Sequence, residues 1–276
     1  MYNKKIKIIE MRKRKNKKLY LFDIDGTLIL GNKPIDGAEK VIKEIREKGK
    51  KLMLFTNNSS RTRAEYVEKF KKMNIDILEE EIVTAGYMLG EYLIEKKDKP
   101  SVFLVGTKSL KKLLEDMGVK VIEEPKKIHG RYNVDYVAVA LDSELNYPKI
   151  VTACELLSEG IEYLAANPDF VYPIEGGKFL PDCGAICKML EYAVKRKPLF
   201  LGKPSREILD YCIKKNGVSK GETVIVGDRL YTDIACGYDN SCDTILVLTG
   251  ESKREDVKNS PYKPDYILES IKDIEI

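Results

Sequence analysis

Leu19-Tyr20-Leu21-Phe22-Asp23-Ile24-Asp25-Gly26-Thr27 decides the reading of this chain. Four apolar residues end abruptly in two carboxylates, a glycine and a threonine. An uninterrupted apolar run closed by a turn signal suits a strand buried on both faces, the kind found in parallel sheets. Open α/β sheets bind ligands at the carboxyl ends of their strands. Asp23 and Asp25 are therefore expected at the mouth of a sheet. Two acids held that close ionise together only if a cation joins them. Carboxylate ligands of this kind suit Mg²⁺, which also keeps waters and takes a substrate phosphate.

Three further runs end in the same manner. Lys51-Leu-Met-Leu-Phe55 leads into Thr56-Asn57-Asn58-Ser59-Ser60, whose hydroxyl, amide and backbone N–H groups suit phosphate oxygens. Leu199-Phe200-Leu201 leads into Gly202-Lys203-Pro204, a lone cation at a strand end. Thr223-Val-Ile-Val226 leads into Gly227-Asp228-Arg229-Leu230-Tyr231-Thr232-Asp233, a second acid pair. An acid pair, a hydroxyl-amide loop, a lysine and another acid pair are what transfer of a phosphoryl group to a carboxylate requires.

Between these signals, apolar residues at Ile35, Ala38, Val41, Ile42 and Ile45 follow a helical period that stops at Gly49. Helices are also expected near 64–73, 86–96, 108–117, 148–158, 184–195 and 207–215, and from about Thr232. Strands are expected at Ile82–Ala85, Val102–Val105, Tyr136–Leu141, Ile161–Ala166, Thr244–Leu248 and near Tyr266. Strands alternating with helices argue for a doubly wound parallel α/β sheet. Thr56 and Lys203 stand 147 positions apart. That interval carries its own strand–helix alternation, so it reads as an inserted α/β domain rather than a loop. The expected organisation is a basic arm at 1–18, a core formed by 19–99 and 197–276, and an insertion at 100–196.

Composition sets limits on the remaining classes. Of 276 residues, 43% are apolar and 33% charged, a globular balance. A net charge of +4, from 48 basic and 44 acidic residues, offers no argument for nucleic acid. No apolar run approaches a membrane span. The first 18 residues carry nine Lys or Arg and one Glu, without the apolar stretch of a secretory signal. They read as a solvated tail, and Met11 is an alternative start. The six cysteines, at 154, 183, 187, 212, 236 and 242, form no CxxC pair and read as reduced, packed thiols of a cytoplasmic protein. His129 lies in a polar stretch away from every strand-end signal and reads as a surface residue.

DxDGT, TNN, GKP and GDxxxxD, in this order, resemble the four motifs of the haloacid dehalogenase (HAD) superfamily of aspartate-nucleophile phosphatases. The large α/β insertion resembles that superfamily's C2 cap, and the subgroup most similar is the NagD and 4-nitrophenylphosphatase group. TNNSS, Asn167-Pro168-Asp169, Pro181-Asp182-Cys183-Gly184-Ala185-Ile186 and GDRLYTDI carry that closer likeness, which covers about 19–270.

The resemblance implies a fold, a HAD-like Rossmannoid core with an inserted cap, and a set of roles. Asp23 is the expected nucleophile and a Mg²⁺ ligand. Asp25 is the expected general acid and base, with its backbone carbonyl on the metal. Asp228 is the second carboxylate ligand of Mg²⁺. Asp233 reads either as an acid that orients Lys203 or a metal-bound water, or as an ordinary first-turn acid of a helix. Lys203 neutralises the phosphate and the nucleophile. Thr56 and the Asn57 amide hold phosphoryl oxygens, and Gly26 lets backbone approach closely. Asn58 reads as a phosphate contact or a cap contact. Asn167, Asp169, Asp182, Cys183 and Gly184 are candidates for substrate specificity in the cap, with ordinary turn residues as the alternative. The implied activity is hydrolysis of a small phosphorylated metabolite, and the implied assembly a homodimer through the cap. A phosphotransferase or mutase on the same core is the first rival. A receiver-like phospho-acceptor module is the second; it gives no reason for Asp25 two residues after the acceptor or for the large insertion.

Overall fold

The computed structural model describes residues 16–174 and 178–276, and the chain divides into two compact units. The first comprises residues up to Thr56, Val67–Ile82 and Leu209–Ile276; the second comprises Asn57–Tyr66 and Val83–Ile208.

A six-stranded sheet organises the first unit. Its order is Tyr266–Leu268, Asp243–Val247, Thr223–Gly227, Leu19–Phe22, Lys51–Thr56 and then Ile82–Thr84, the edge strand on which the chain leaves the unit. Leu19–Phe22 pairs in parallel with both neighbours, Leu19 opposite Thr223 on one side and Lys51 on the other. All four of its residues are buried, as an apolar run without alternation demands. The chain winds outward from Leu19–Phe22 in one direction and from Thr223–Gly227 in the other. The gap between those two strands is thus the topological switch point, where the carboxyl ends leave a crevice. Helix Ala38–Glu47 buries Ala38, Val41, Ile42 and Ile45, the periodic residues of the sequence. It is bounded by Gly37 and Gly49, both at positive φ.

Residues 1–15, most of the basic arm together with Met11, lie outside the described residues. The expected boundary at 18 shifts, because Lys17 belongs to the folded unit. Its side chain is buried, donates to the Gly221 carbonyl at 2.7 Å and pairs with Asp243 at 2.9 Å.

The second unit is a five-stranded parallel sheet in the order Leu199–Phe200, Glu162–Ala165, Tyr136–Val139, Ser101–Val105 and Lys120–Val121. It is wider than the 100–196 insertion expected. Helix Ala85–Lys96 belongs to it because Gly86 and Gly90 open room for the next helix, Lys108–Asp116, and its end: a Cβ at Gly86 would lie 2.9 Å from Leu110, and one at Gly90 would meet Met117. Leu199–Phe200, expected to lead a core strand into Gly202-Lys203-Pro204, instead pairs with Leu164 and Ala165. The hairpin Val171–Ile174 and Lys178–Pro181 had no clear periodic signal. No helix among the described residues is long and apolar enough to cross a membrane.

Candidate active site

Three acids gather in the first unit. Asp23 follows Leu19–Phe22, and its N–H donates to the Val226 carbonyl at 2.9 Å, which ties it to the neighbouring strand. Asp228 follows Thr223–Gly227. Its Oδ1 accepts from the Thr27 hydroxyl at 3.4 Å and its Oδ2 from the Glu251 N–H at 2.7 Å. Asp233 returns on a wide turn of π-helical form, Leu230–Ile234, and its Oδ2 accepts from the Arg229 N–H at 3.1 Å. One carboxylate oxygen from each of Asp23, Asp228 and Asp233 lies within 4.8 Å of the others, and all three residues are buried.

Glycines make this approach sterically possible. Gly26 has φ +94°, and a Cβ on it would lie 2.5 Å from Asp228 Oδ2. A Cβ on Gly250 would strike the same oxygen, and one on Gly227 would strike the Asp233 side chain.

Three buried carboxylates this close repel one another and lose hydration, a combination that favours a cation among them. Oxygens on opposite sides of a Mg²⁺ ion are roughly 4.2 Å apart, given bonds of about 2.1 Å. The three buried hard oxygen donors are of the kind that ion takes. Asp25 stands apart from the three acids. Its side chain is 45% exposed, and Lys69 Nζ lies 3.6 Å from its Oδ1.

The second unit places the amide and lysine residues at the carboxyl edge of its own sheet. Asn57 Nδ2 donates to Asp169 Oδ2 at 3.1 Å and to the Lys203 carbonyl at 2.9 Å. Asn167 Nδ2 donates to the Asn57 carbonyl at 2.7 Å, and Asn167 Oδ1 accepts from the Asp169 N–H at 2.9 Å. Asn58 Oδ1 accepts from the N–H groups of Ser60 and Arg61 and from the Ser60 hydroxyl, which closes the loop on itself. Lys203 is 2% exposed.

Comparison with known proteins adds to this geometry. Residues 20–120 match the family described as haloacid dehalogenase-like hydrolase, and residues 200–274 match a HAD-hydrolase-like family. The acid sugar phosphatase of Staphylococcus haemolyticus (strain JCSC1435) is 35% identical over 262 residues, covering 95% of each chain. The chain belongs to the haloacid dehalogenase-like hydrolases. Among solved structures, the 4-nitrophenylphosphatase of Thermotoga maritima is similar with a TM-score of 0.87 and 35% identity, over 94% of this chain and 97% of that one. NagD from E. coli K-12 is similar with a TM-score of 0.84 and 31% identity, over 94% and 98%. The resemblance to the NagD group of HAD-like hydrolases is thereby borne out, as is the α/β fold of parallel sheets.

Within this HAD-like chain, the remaining expected site residues have the following surroundings. Asp233, expected to act on Lys203 or a water or as a plain first-turn acid, brings a carboxylate oxygen to Asp23 and Asp228. The five residues expected in the cap's specificity region are packed inward. Asn167, Asp169, Asp182 and Cys183 are buried, and Gly184 sits against the backbone of Pro168 and Asp169. Asp182 caps helix Cys183–Val194, its Oδ1 accepting from the Cys183 N–H at 2.6 Å. Cys183 Sγ donates to the Val139 carbonyl at 3.3 Å, and burial pushes that thiol well above its ordinary range.

Other residues escaped the sequence reading. Lys69 carries no signal, because a helical lysine looks like any solvated charge. Thr249, Gly250 and Glu251 had a readable one: they follow the apolar strand Asp243–Val247, as the other strand-end loops follow theirs. Thr249 donates its hydroxyl to the Gly26 carbonyl at 2.7 Å and so fixes the turn after Asp25.

Proposed function

We propose that this chain is a Mg²⁺-dependent phosphomonoesterase for small phosphorylated metabolites, sugar phosphates among them, working through an aspartyl-phosphate on Asp23. The gathering of Asp23, Asp228 and Asp233 oxygens at the switch point, with Asp25 standing apart two residues on, is the observation that carries this reading. Division of labour follows from it. A carboxylate in the triple-acid cluster is suited to nucleophilic attack once its charge is balanced, and a separate carboxyl is free to move protons.

In this reading an Asp23 oxygen attacks phosphorus and the bond to the leaving alkoxide breaks. Asp25 gives its proton to that alkoxide. Asp25 then takes a proton from water, which attacks phosphorus and releases inorganic phosphate and free Asp23. Asp23, Asp228, Asp233 and the Asp25 carbonyl would hold Mg²⁺, which when bound offsets charge on the phosphoryl oxygens. Lys203 and Thr56 would steady those oxygens, together with backbone N–H groups following Thr56. The six free thiols support a cytoplasmic setting.

Hydrolysis of 4-nitrophenyl phosphate by wild type and Asp23→Asn, with Mg²⁺ and with EDTA, tests the proposal. Turnover is expected only from wild type with Mg²⁺. Turnover surviving in purified Asp23→Asn would exclude Asp23 as nucleophile.

A further inference from the structure

Asn57 follows Thr56 in the loop read as phosphate-binding, and its side chain looks like a natural donor to phosphate. The hydrogen bonds argue otherwise. Its Nδ2 has two hydrogens, and these are directed at Asp169 Oδ2 (3.1 Å) and the Lys203 carbonyl (2.9 Å). Turning the amide over would set Oδ1 against a carboxylate and a carbonyl, which repels. Its Oδ1 is buried without a hydrogen-bond partner and lies beside Gly202, where a Cβ would come within 2.7 Å of it. As an acceptor, Oδ1 offers nothing to a phosphate oxygen.

Asp169 is held firmly on its own side. Asn167 is fully buried and acts at both ends, donating to the Asn57 carbonyl and accepting from the Asp169 N–H. The Asp169 carbonyl accepts from the Gly184 N–H at 2.8 Å, at the start of helix Cys183–Val194. Gly184 has no Cβ because the Pro168 carbonyl occupies that space. Gly202 N–H donates to the Ala166 carbonyl at 2.7 Å, which draws the Lys203 backbone to the same point. Three segments distant in sequence thus meet at Asn57.

We propose that Asp169 is a positioning residue: through the Asn57 amide it sets both the loop after Thr56 and the backbone of Lys203, and the Asn57 side chain is a tie rather than a phosphate ligand. The proposal rests on the phosphatase reading, and the two fail separately. An inactive wild type refutes the reading. An active wild type that tolerates loss of Asp169 refutes the inference alone.

The test is a double-mutant cycle on kcat/KM for 4-nitrophenyl phosphate, with folding checked by circular dichroism. Asp169→Ala and Asn57→Ala should each lower kcat/KM about 10- to 100-fold, since misplacing a binding group by an ångström costs that much. The double variant should be no slower than the worse single, because both remove the same tie. Asp169→Asn keeps an acceptor for Asn57 and should stay within about threefold of wild type. Wild-type kinetics in Asp169→Ala, multiplying losses in the double variant, or an Asp169→Asn as slow as Asp169→Ala would overturn the proposal. Should Asp169→Ala not fold, Asp169→Asn and Asn57→Ala carry the test: Asp169→Asn below a tenth of the wild-type rate, or Asn57→Ala at the wild-type rate, then overturns it.

Discussion

Gly26→Ala is a sharp perturbation of the acid cluster, because its effect divides into two parts that are measured separately. The first is backbone strain. Gly26 sits at φ +94°, and an L-residue forced toward positive φ costs roughly 1–2 kcal/mol of stability. The second is displacement. The new Cβ would start 2.5 Å from Asp228 Oδ2, whereas ordinary contact begins near 3.4 Å, so the carboxylate must retreat about 0.9 Å (3.4 − 2.5). That is close to half of a Mg²⁺–oxygen bond of about 2.1 Å, and Mg²⁺ tolerates poor geometry badly. It also strains the 2.7 Å bond from the Glu251 N–H. We expect kcat/KM to fall about 100-fold, some 2.7 kcal/mol of transition-state stabilisation, with a raised Mg²⁺ requirement. Initial rates on 4-nitrophenyl phosphate across a Mg²⁺ titration read the second part, and a thermal melt reads the first. Gly250→Ala serves as the companion. Its Cβ would start closer still, 2.0 Å from the same Asp228 oxygen, without the positive φ, so it should impair the Mg²⁺ response at least as much. If both variants keep wild-type kcat/KM and Mg²⁺ half-saturation, the placement of Asp228 beside a metal is refuted.

Glu222 is held down to about 2 by Lys18, whose Nζ lies 2.5 Å away, and by the Ser219 N–H and hydroxyl. A carboxyl depressed in the folded state adds stability above its ordinary 4.5 and loses it as pH falls toward 2. Wild type should therefore lose melting temperature more steeply than Glu222→Gln between those values; parallel curves would refute the link. Five of the six thiols are buried, and burial pushes Cys242 up to about 11. A thiol reagent near neutral pH should modify native protein at Cys154 at most and reach all six only in denaturant; rapid native labelling of Cys183 or Cys187 would contradict the packing. Leu21 is fully buried in the central strand, so Leu21→Ala should cost about 2–5 kcal/mol in denaturant unfolding, and a loss below about 1 kcal/mol would contradict its burial.

Legibility followed the range of the physics involved. Helix Ala38–Glu47 was readable because its apolar period and its terminal glycines are local. Leu19–Phe22 was readable because a short apolar run stopped by two acids fits little besides a buried strand that ends at a site. The hairpin from Val171 was not, since its residues are exposed in several places and show no clean alternation. Asp233 was readable as a residue type but not as a neighbour of Asp23. Its position depends on the π-helical turn at Leu230–Ile234, and nothing in Leu-Tyr-Thr-Asp-Ile distinguishes that turn from the first turn of an α-helix. Lys69 was invisible for the opposite reason: its meaning comes only from Asp25, 44 residues away.

The deeper separation is between what a residue is and which sheet carries it. Reaction chemistry selects residue types, and the four strand-end motifs stand in order along the chain, so acids, hydroxyl-amide loop and lysine can be read from it as residue types. Sheet membership is set by long-range pairing, which a two-residue strand such as Leu199–Phe200 does not encode in any period. Its pairing with Leu164 and Ala165 puts the Lys203 backbone beside Ala166 through the Gly202 N–H, and Ala166 is the residue before Asn167. Hence Asn167-Pro168-Asp169 and Gly202-Lys203-Pro204, separated by more than thirty residues, end neighbouring strands of one sheet. Two such ends can share a single amide, and Asn57 is where they do. Asn167 and Asp169 thereby hold the loop that follows Thr56.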